Sequence, residues 1–292
     1  MIQGSATALV TPFKDNGDLD EEGLRALVDF QDSNGTDYIV PCGTTGESAT
    51  LTHAEHLKVI KIVMDQAKHA KVIAGAGSNA THEAIHLSKG AKDMGVHAIL
   101  SISPYYNKPS QKGIIKHYQA IAAAVDIPVI VYNVPGRTGS NINASTILKL
   151  AETPNIVAVK EASGNIGQIM SIIGGAPKGF SVISGDDALT YPMLALGGKG
   201  VISVASNVMP KEVSRMVHAA FEGHWDESRA LHYRMLPLFN NLFVESNPIP
   251  VKTALRLMGK PAGAFRLPLC DLEPANLEIV RKTLADLGLL PK

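Results

Sequence analysis

Asn155-Ile-Val-Ala-Val-Lys-Glu-Ala162 is an apolar, β-branched stretch that ends in a lysine. Consecutive apolar residues without polar alternation are typical of a strand covered on both faces, as in a parallel sheet. A lysine at the end of such a strand costs free energy unless its amine pairs with a carboxylate or loses its proton. Because a neutral amine attacks carbonyl carbons, Lys160 is a candidate nucleophile.

Similar short apolar runs recur along the chain, separated by segments such as 20–33 and 52–69 with apolar residues at helical spacing. We expect strands at 6–10, 38–41, 71–76, 97–103, 127–132, 156–161, 181–184 and 200–205. Eight strand–helix units over roughly 220 residues predict an α/β fold of the (β/α)8 TIM-barrel type. A doubly wound sheet is the alternative, although six strands suit it better than eight.

The strand pattern stops after about Gly223, and helical patterns follow at 224–243, 249–258 and 274–287. Prolines separate these three segments. We therefore predict a barrel over residues 1–223 and a C-terminal helical domain over residues 224–292.

Composition narrows the class of protein. The 292 residues are 45% hydrophobic with a formal net charge of +0, which argues against nucleic acid or an anionic membrane as the main partner. Cys42 and Cys270 are far apart and form no disulfide framework, as expected in a reducing compartment. The N-terminus does not read as a secretion signal, and no apolar run approaches the roughly 20 residues of a membrane helix. We expect a cytoplasmic protein.

The ends of the predicted strands carry the polar groups. TIM-barrel enzymes act at the C-terminal ends of their strands, so these ends identify candidate residues. The polar strand ends are Pro41-Cys-Gly-Thr-Thr-Gly-Glu47, Ser103-Pro-Tyr-Tyr-Asn107, Tyr132-Asn-Val-Pro-Gly-Arg-Thr-Gly139, Lys160 and Ser184-Gly-Asp-Asp187. Hydroxyls, tyrosines, one arginine and one lysine should therefore converge on one rim.

Lys160 has a structural and a chemical interpretation. As a structural residue it would pair with Glu161 or another carboxylate. As a Schiff-base lysine it must be partly deprotonated near neutrality. Lowering its pKa from about 10.4 to about 7–8 takes about 4 kcal/mol of differential solvation, which an apolar barrel mouth can supply. We favour the nucleophile because two tyrosines and two threonines share its rim.

Three other rim features carry chemistry, each with an ordinary alternative. Backbone N–H groups and hydroxyls in Gly43-Thr-Thr-Gly46 would hold a small carboxylate, or form a simple βα turn. Tyr132 ends the strand that precedes the strand of Lys160. Its phenol would transfer protons to and from a substrate, or Tyr132 is an ordinary core tyrosine. The Arg137 guanidinium would bind a substrate carboxylate through two hydrogen bonds, or it forms a surface salt bridge.

These motifs resemble the 4-hydroxy-tetrahydrodipicolinate synthase family, formerly the dihydrodipicolinate synthase family. The resemblance runs from Ala6-Thr-Ala-Leu-Val-Thr-Pro-Phe13 through the helical tail and so covers nearly the whole chain. Cys42-Gly-Thr-Thr-Gly-Glu-Ser48, Tyr132-Asn-Val-Pro and Val159-Lys-Glu-Ala162 look like the two signatures of the class I aldolase-like lyases. The threonine pair and Pro135-Gly-Arg-Thr-Gly139 favour this family over the sialic-acid lyases.

The resemblance implies a reaction and its catalytic groups. Pyruvate would form a Schiff base with Lys160 and condense with L-aspartate 4-semialdehyde to give 4-hydroxy-tetrahydrodipicolinate, in diaminopimelate and L-lysine biosynthesis. Thr44, Tyr132 and Tyr106 would form the proton relay, with Tyr106 contributed by the neighbouring subunit. No metal or organic cofactor is needed for this chemistry, and the family is usually homotetrameric.

The resemblance also implies how the two substrates are held. Thr45 and nearby backbone would bind the pyruvate carboxylate, and Arg137 would bind the semialdehyde. Gly185 and Ile202 would line the pocket.

A second group of residues lies around the starts of two predicted helices, with one tyrosine on a nearby loop. Helix N-termini receive carboxylates, while Glu83 would meet an ammonium group. By resemblance these residues match the lysine feedback site of regulated family members, so we expect inhibition by L-lysine; solvated helix caps are the alternative. They are Ser48, Ala49, His53, His56, Asn79, Glu83 and Tyr105.

Other functions have some support in the sequence. Another pyruvate-dependent aldolase, such as an N-acetylneuraminate or 2-keto-3-deoxy-sugar acid lyase, is the main alternative, but Arg137 favours a substrate with a second carboxylate. A barrel that binds an amino acid without catalysis is disfavoured by the joint presence of Lys160, Tyr132, Tyr106 and Thr44.

Two motifs point elsewhere. His82-Glu-Ala-Ile-His86 matches the zinc-protease pattern, but no separate third ligand stands out, so we expect no metal. Gly75-Ala-Gly-Ser-Asn-Ala80 matches a dinucleotide fingerprint, but it falls at the third of eight units, so we expect no nicotinamide cofactor.

Overall fold

The computed structural model describes residues 1–290, and within them eight parallel strands close into a barrel in sequence order. The strands are β1 (Gly4–Ala8), β2 (Tyr38–Val40), β3 (Lys71–Gly75), β4 (Ala98–Ile102), β5 (Val129–Asn133), β6 (Ile156–Glu161), β7 (Ser181–Ser184) and β8 (Gly200–Ser203). β1 pairs with both β2 and β8, which completes the ring. The predicted (β/α)8 barrel is confirmed.

Helices surround this barrel and continue beyond it. The helices are α1 (Glu21–Ser33), α2 (His53–Gln66), α3 (Thr81–Asp93), α4 (Gln111–Ala124), α5 (Pro135–Thr138), α6 (Ala144–Leu150), α7 (Ile166–Gly175), α8 (Thr190–Ala195), α9 (Pro210–Phe221), α10 (Trp225–Asn241), α11 (Ile249–Leu257) and α12 (Pro274–Asp286). The helices predicted after residue 223 are present as α10 to α12. The division into domains at that residue remains a prediction.

Alternation along the strands separates two cores. Side chains that point outward pack against the helices, whereas those that point inward fill the barrel. Every strand contributes to this interior core, through residues that include Ala6, Val40, Ile73, Leu100, Ile130, Ala158, Ile183 and Ile202. Lys160 lies two residues after Ala158 and therefore faces the interior near the C-terminal end of the barrel.

A capping box marks the start of α2. Thr52 Oγ1 accepts a hydrogen bond from the Glu55 backbone N–H at 3.2 Å, and the Glu55 carboxylate accepts from the Thr52 N–H at 2.9 Å. The box fixes where α2 begins, after the 3-10 turn over Ser48–Thr50.

Several predicted strand bounds were wrong by one or two residues, mostly at prolines and caps. β2 ends at Val40 rather than Pro41, and β5 begins at Val129 because Pro128 has no N–H to donate. β1 spans Gly4–Ala8 rather than 6–10, since the Val10 N–H bonds to the Asn207 side chain at 3.1 Å instead of continuing the sheet.

Among the helices of residues 1–290, none combines the length and the apolar character that crossing a bilayer requires.

Candidate active site

Lys160 lies deep in the C-terminal mouth of the barrel. Its side chain is only 5% exposed, and its Nζ lies 4.4 Å from the centre of the Tyr132 ring. The sheet register sets this contact, because Tyr132 on β5 and Lys160 on β6 are directly paired. Within residues 1–290 the amine forms no ion pair, so its charge is uncompensated by direct contact.

The alternative pairing of Lys160 with Glu161 does not occur. Glu161 faces outward from β6, where its carboxylate accepts hydrogen bonds from Asn133 Nδ2 at 3.0 Å and from the Ser163 N–H at 2.7 Å. Successive residues of a strand point to opposite faces of the sheet. The Lys160 amine and the Glu161 carboxylate therefore lie on opposite sides of β6.

Burial sets the protonation of Lys160. Loss of solvation lowers its pKa to about 8, opposed by the charge of Asp187 and assisted by the charge of Arg137. Asp187 itself is buried and accepts hydrogen bonds from the N–H groups of Val204 and Ala205 at 3.0 and 2.9 Å. A pKa near 8 leaves about a tenth of the amine neutral and nucleophilic at pH 7.

Tyr132 remains protonated at neutral pH. Burial raises the pKa of its phenol to about 12, with Arg137 and a hydrogen bond with the Thr44 side chain acting in the opposite direction. A protonated phenol beside the amine is suited to donate a proton to a departing hydroxyl and to take it back through Thr44.

A cavity of about 180 Å³ opens above Lys160. Six of the predicted site residues line this cavity, namely Lys160, Tyr132, Thr44, Thr45, Arg137 and Gly185. Gly185 leaves room beside the amine, since a Cβ there would lie 3.0 Å from Lys160 Cε. The structure thus brings an amine, a phenol, two hydroxyls and a guanidinium around one small space, an arrangement suited to covalent capture of a small keto acid.

Two predicted site residues lie outside this cavity. Ile202 is buried in the interior core of the barrel and does not line the cavity. Tyr106 is 90% exposed with φ of 70°. Their assigned roles remain predictions.

The Thr44–Thr45 turn is a short 3-10 helix over Thr44–Gly46 that is held by close backbone packing. Gly46 approaches the Leu9 carbonyl, 3.1 Å from where its Cβ would be, and its own carbonyl accepts a hydrogen bond from Thr11 Oγ1 at 2.7 Å. The absence of a Cβ at Gly46 therefore lets the turn pack closely against the segment that follows β1.

A larger cavity of about 410 Å³ adjoins the first and shares Thr44, Tyr132 and Arg137 with it. Of the residues predicted to bind L-lysine, six line this cavity: Ser48, Ala49, His53, His56, Glu83 and Tyr105. Asn79 is not among its lining residues; its carbonyl accepts a hydrogen bond from Asn107 Nδ2 at 3.0 Å.

Glu83 and His56 have defined protonation states in this cavity. The Glu83 carboxylate contacts Ser78 Oγ and His53 Nε2, and the hydrogen bond from Ser78 is the main reason that its pKa is lowered. Burial lowers the pKa of His56, whose Nε2 donates to the Gly75 carbonyl at 2.6 Å. At neutral pH the cavity therefore presents an anionic Glu83 and a neutral His56.

Comparison with known proteins identifies the family. The profile described as "Dihydrodipicolinate synthetase family" matches residues 1–287. The chain belongs to this family. It is therefore an enzyme of the lyase class.

Relatives of the dihydrodipicolinate synthetase family match over almost the full length. The 4-hydroxy-tetrahydrodipicolinate synthase of Syntrophotalea carbinolica is 53% identical and covers 99% of this chain and 99% of its own. The crystal structure of dihydrodipicolinate synthase from Aquifex aeolicus is 50% identical, covers 100% of both chains and has a TM-score of 0.97. A structure from Cyanidioschyzon merolae with lysine bound is 46% identical, covers 99% of both chains and has a TM-score of 0.96.

The zinc-protease and dinucleotide patterns have structural explanations in this family member. Glu83 of the first pattern pairs with His53, and residues 1–290 contain no group of three His, Cys, Asp or Glu residues placed to hold a metal. Gly75 and Gly77 of the second allow close packing, since a Cβ would lie 2.2 Å from the Cys42 carbonyl oxygen and 2.3 Å from the Ile102 nitrogen respectively.

Sequence reasoning missed the residues that hold the active-site turn from outside the barrel. Glu47, with φ of 54°, ends the turn and forms an ion pair with Lys252 of α11 at 2.6 Å. Both side chains are fully buried. Lys252 Nζ also donates to the Ala264 carbonyl at 2.7 Å and lies 4.7 Å from the Phe13 ring centre. A lysine in the apolar pattern of α11 was the available signal, because such a charge needs a partner.

We expect Lys252→Met to destabilise the protein by about 3 kcal/mol or more, because Glu47 would remain buried without its partner. Urea unfolding measures this change. The double variant Glu47→Gln with Lys252→Met should recover most of the loss, since no unpaired charge remains.

The matched control for this substitution is Lys58→Met. Lys58 pairs with Glu21 at 2.6 Å, but both side chains are substantially exposed. This control should cost less than about 1 kcal/mol. Equal effects of the two lysine substitutions would contradict a special role for the buried pair.

Proposed function

We propose that this protein condenses pyruvate with L-aspartate 4-semialdehyde through a Schiff base on Lys160, giving 4-hydroxy-tetrahydrodipicolinate for diaminopimelate and L-lysine biosynthesis. The observation that carries the proposal is the buried, unpaired amine of Lys160, with a pKa lowered to about 8, beside the protonated phenol of Tyr132. The names of the full-length relatives support the choice of substrates.

The first steps convert pyruvate into a nucleophile. The neutral Lys160 amine attacks the keto carbon, and the resulting carbinolamine loses its hydroxyl as water when Tyr132 supplies a proton. Thr44 hydrogen-bonds to the phenol, and Tyr106 of a neighbouring subunit returns a proton to Tyr132 through Thr44. Loss of a proton from the methyl group of the Schiff base then gives an enamine.

The enamine carbon attacks the aldehyde carbon of the second substrate and forms the new C–C bond. The amino group of that substrate next attacks the imine carbon, closes the ring and displaces Lys160, which regains its starting state. Thr45 and the backbone of its turn bind the pyruvate carboxylate, and Arg137 binds the carboxylate of the semialdehyde. Gly185 and Ile202 shape the pocket, and no resident cofactor takes part.

The larger cavity is proposed to bind L-lysine as a feedback inhibitor. Glu83 offers a negative charge for an ammonium group, and the lysine-bound structure from Cyanidioschyzon merolae is consistent with such a site. Because this cavity shares Thr44 and Tyr132 with the catalytic cavity, a ligand there would act on the proton relay. The protein is proposed to act in the cytoplasm as a homotetramer.

Reductive trapping tests the Schiff base. We expect the wild-type protein to gain the mass of reduced pyruvate on Lys160 after treatment with pyruvate and borohydride, and Lys160→Ala to gain none and to lose turnover. Lys149→Ala, at an exposed lysine, is the control and should trap as wild type does. A pyruvate adduct or substantial turnover in Lys160→Ala would rule out the mechanism.

Initial rates with millimolar L-lysine test the regulation. We expect inhibition in wild type and at least about a tenfold higher half-inhibitory concentration in Glu83→Gln, since a charge-assisted contact to the ammonium is lost. Glu152→Gln, at an exposed pair, should behave as wild type. An initial rate of the wild-type protein that L-lysine leaves unchanged would contradict the proposed lysine site.

A further inference from the structure

Asn247 lies where the C-terminal helices meet the catalytic cavity. It precedes α11, is 5% exposed and lines both cavities. Its side-chain Nδ2 donates to Thr45 Oγ1 at 2.9 Å, and its backbone carbonyl accepts from Arg137 Nη2 at 3.1 Å. One residue outside the barrel therefore contacts both groups that are proposed to bind carboxylates.

The hydrogen bond to Thr45 fixes the direction of that hydroxyl. A hydroxyl that accepts a bond through its oxygen keeps its own proton for another acceptor. Thr45 is 3% exposed and makes no other side-chain hydrogen bond within residues 1–290. Its proton is therefore free for an anion in the cavity that Thr45 lines.

The orientation of the Asn247 amide follows from comparing the free-energy cost of leaving its oxygen or its N–H group buried without a partner. In the structure Oδ1 is buried and makes no hydrogen bond with the described residues. Rotating the amide by half a turn would not remove the unpartnered atom; it would bury a free N–H instead, which is rarer than an unsatisfied carbonyl oxygen. Nδ2 therefore faces Thr45.

We propose that Asn247 is a positioning residue that orients the Thr45 hydroxyl as a donor to the carboxylate of the keto acid. This inference rests on the proposed function, because it requires a keto acid bound at Lys160. With the amide in place, the hydroxyl cannot turn its proton toward the C-terminal segment and must offer it to the substrate. Asn247 acts through Thr45 and touches neither the reacting carbon nor the amine.

Pyruvate dependence of borohydride trapping tests the proposal. We expect Asn247→Ala and Thr45→Val each to raise the pyruvate concentration for half-maximal trapping by about tenfold, as for the loss of one charge-assisted hydrogen bond. The double variant should raise this pyruvate concentration by about tenfold as well, rather than by about a hundredfold. Both substitutions interrupt the same chain of hydrogen bonds, so their effects do not add.

Acetone separates positioning from general damage, since it has the keto group and lacks the carboxylate. Trapping of acetone by Asn247→Ala should equal that of wild type, whereas a displaced Lys160 would impair the trapping of both ketones.

If Asn247→Ala does not fold, Asn247→Asp serves instead, because a carboxylate can only accept hydrogen bonds and draws the Thr45 proton away from the substrate. The same selective loss of pyruvate trapping is expected.

Asn241→Ala is the matched control. Asn241 Nδ2 donates to Thr283 Oγ1 at 2.8 Å, which is also an asparagine-to-threonine hydrogen bond. Asn241 does not line either of the two cavities that Asn247 lines. It should trap pyruvate as wild type does. Unchanged pyruvate dependence in Asn247→Ala, additive effects in the double variant, or an equal loss with acetone would overturn the inference. Failure of wild type to trap pyruvate would instead overturn the proposed function.

Discussion

The desolvated amine of Lys160 is the constraint on which the site depends. A parallel barrel buries the strand that carries it, and the register with β5 places the Tyr132 ring 4.4 Å away rather than a carboxylate. The carboxylate of Glu161, the next residue along β6, faces outward and accepts hydrogen bonds from Asn133 and from the Ser163 N–H. Burial without direct pairing lowers the pKa of Lys160 to about 8 and leaves a reactive fraction at neutral pH.

The C-terminal helices support this chemistry from outside the barrel. Lys252 of α11 holds the end of the threonine turn through Glu47, and Asn247 contacts both Thr45 and Arg137. The helical extension is therefore coupled to the geometry of the cavity by a buried ion pair and two hydrogen bonds. Rigid support of this kind keeps catalytic groups in place before substrate arrives.

Much of the fold follows from the sequence, because apolar runs and helical spacing alternate eight times. The strand ends were less certain, since Pro41 and Pro128 remove hydrogen-bond donors where the apolar pattern continues. Rim residues were predicted from their position after a strand. Asn247 could not be, because its contacts with Thr45 and Arg137 span 202 and 110 residues of sequence and no local pattern records such contacts.

The pKa of Lys160 tests the central claim most directly. In protein labelled with 13C at lysine Cε, the resonance missing from Lys160→Ala identifies this residue, and its shift followed against pH gives the pKa. The account predicts a midpoint near 8, below that of an ordinary lysine. A midpoint at or above the usual value of about 10.4 would show a solvated or ion-paired amine and would contradict it.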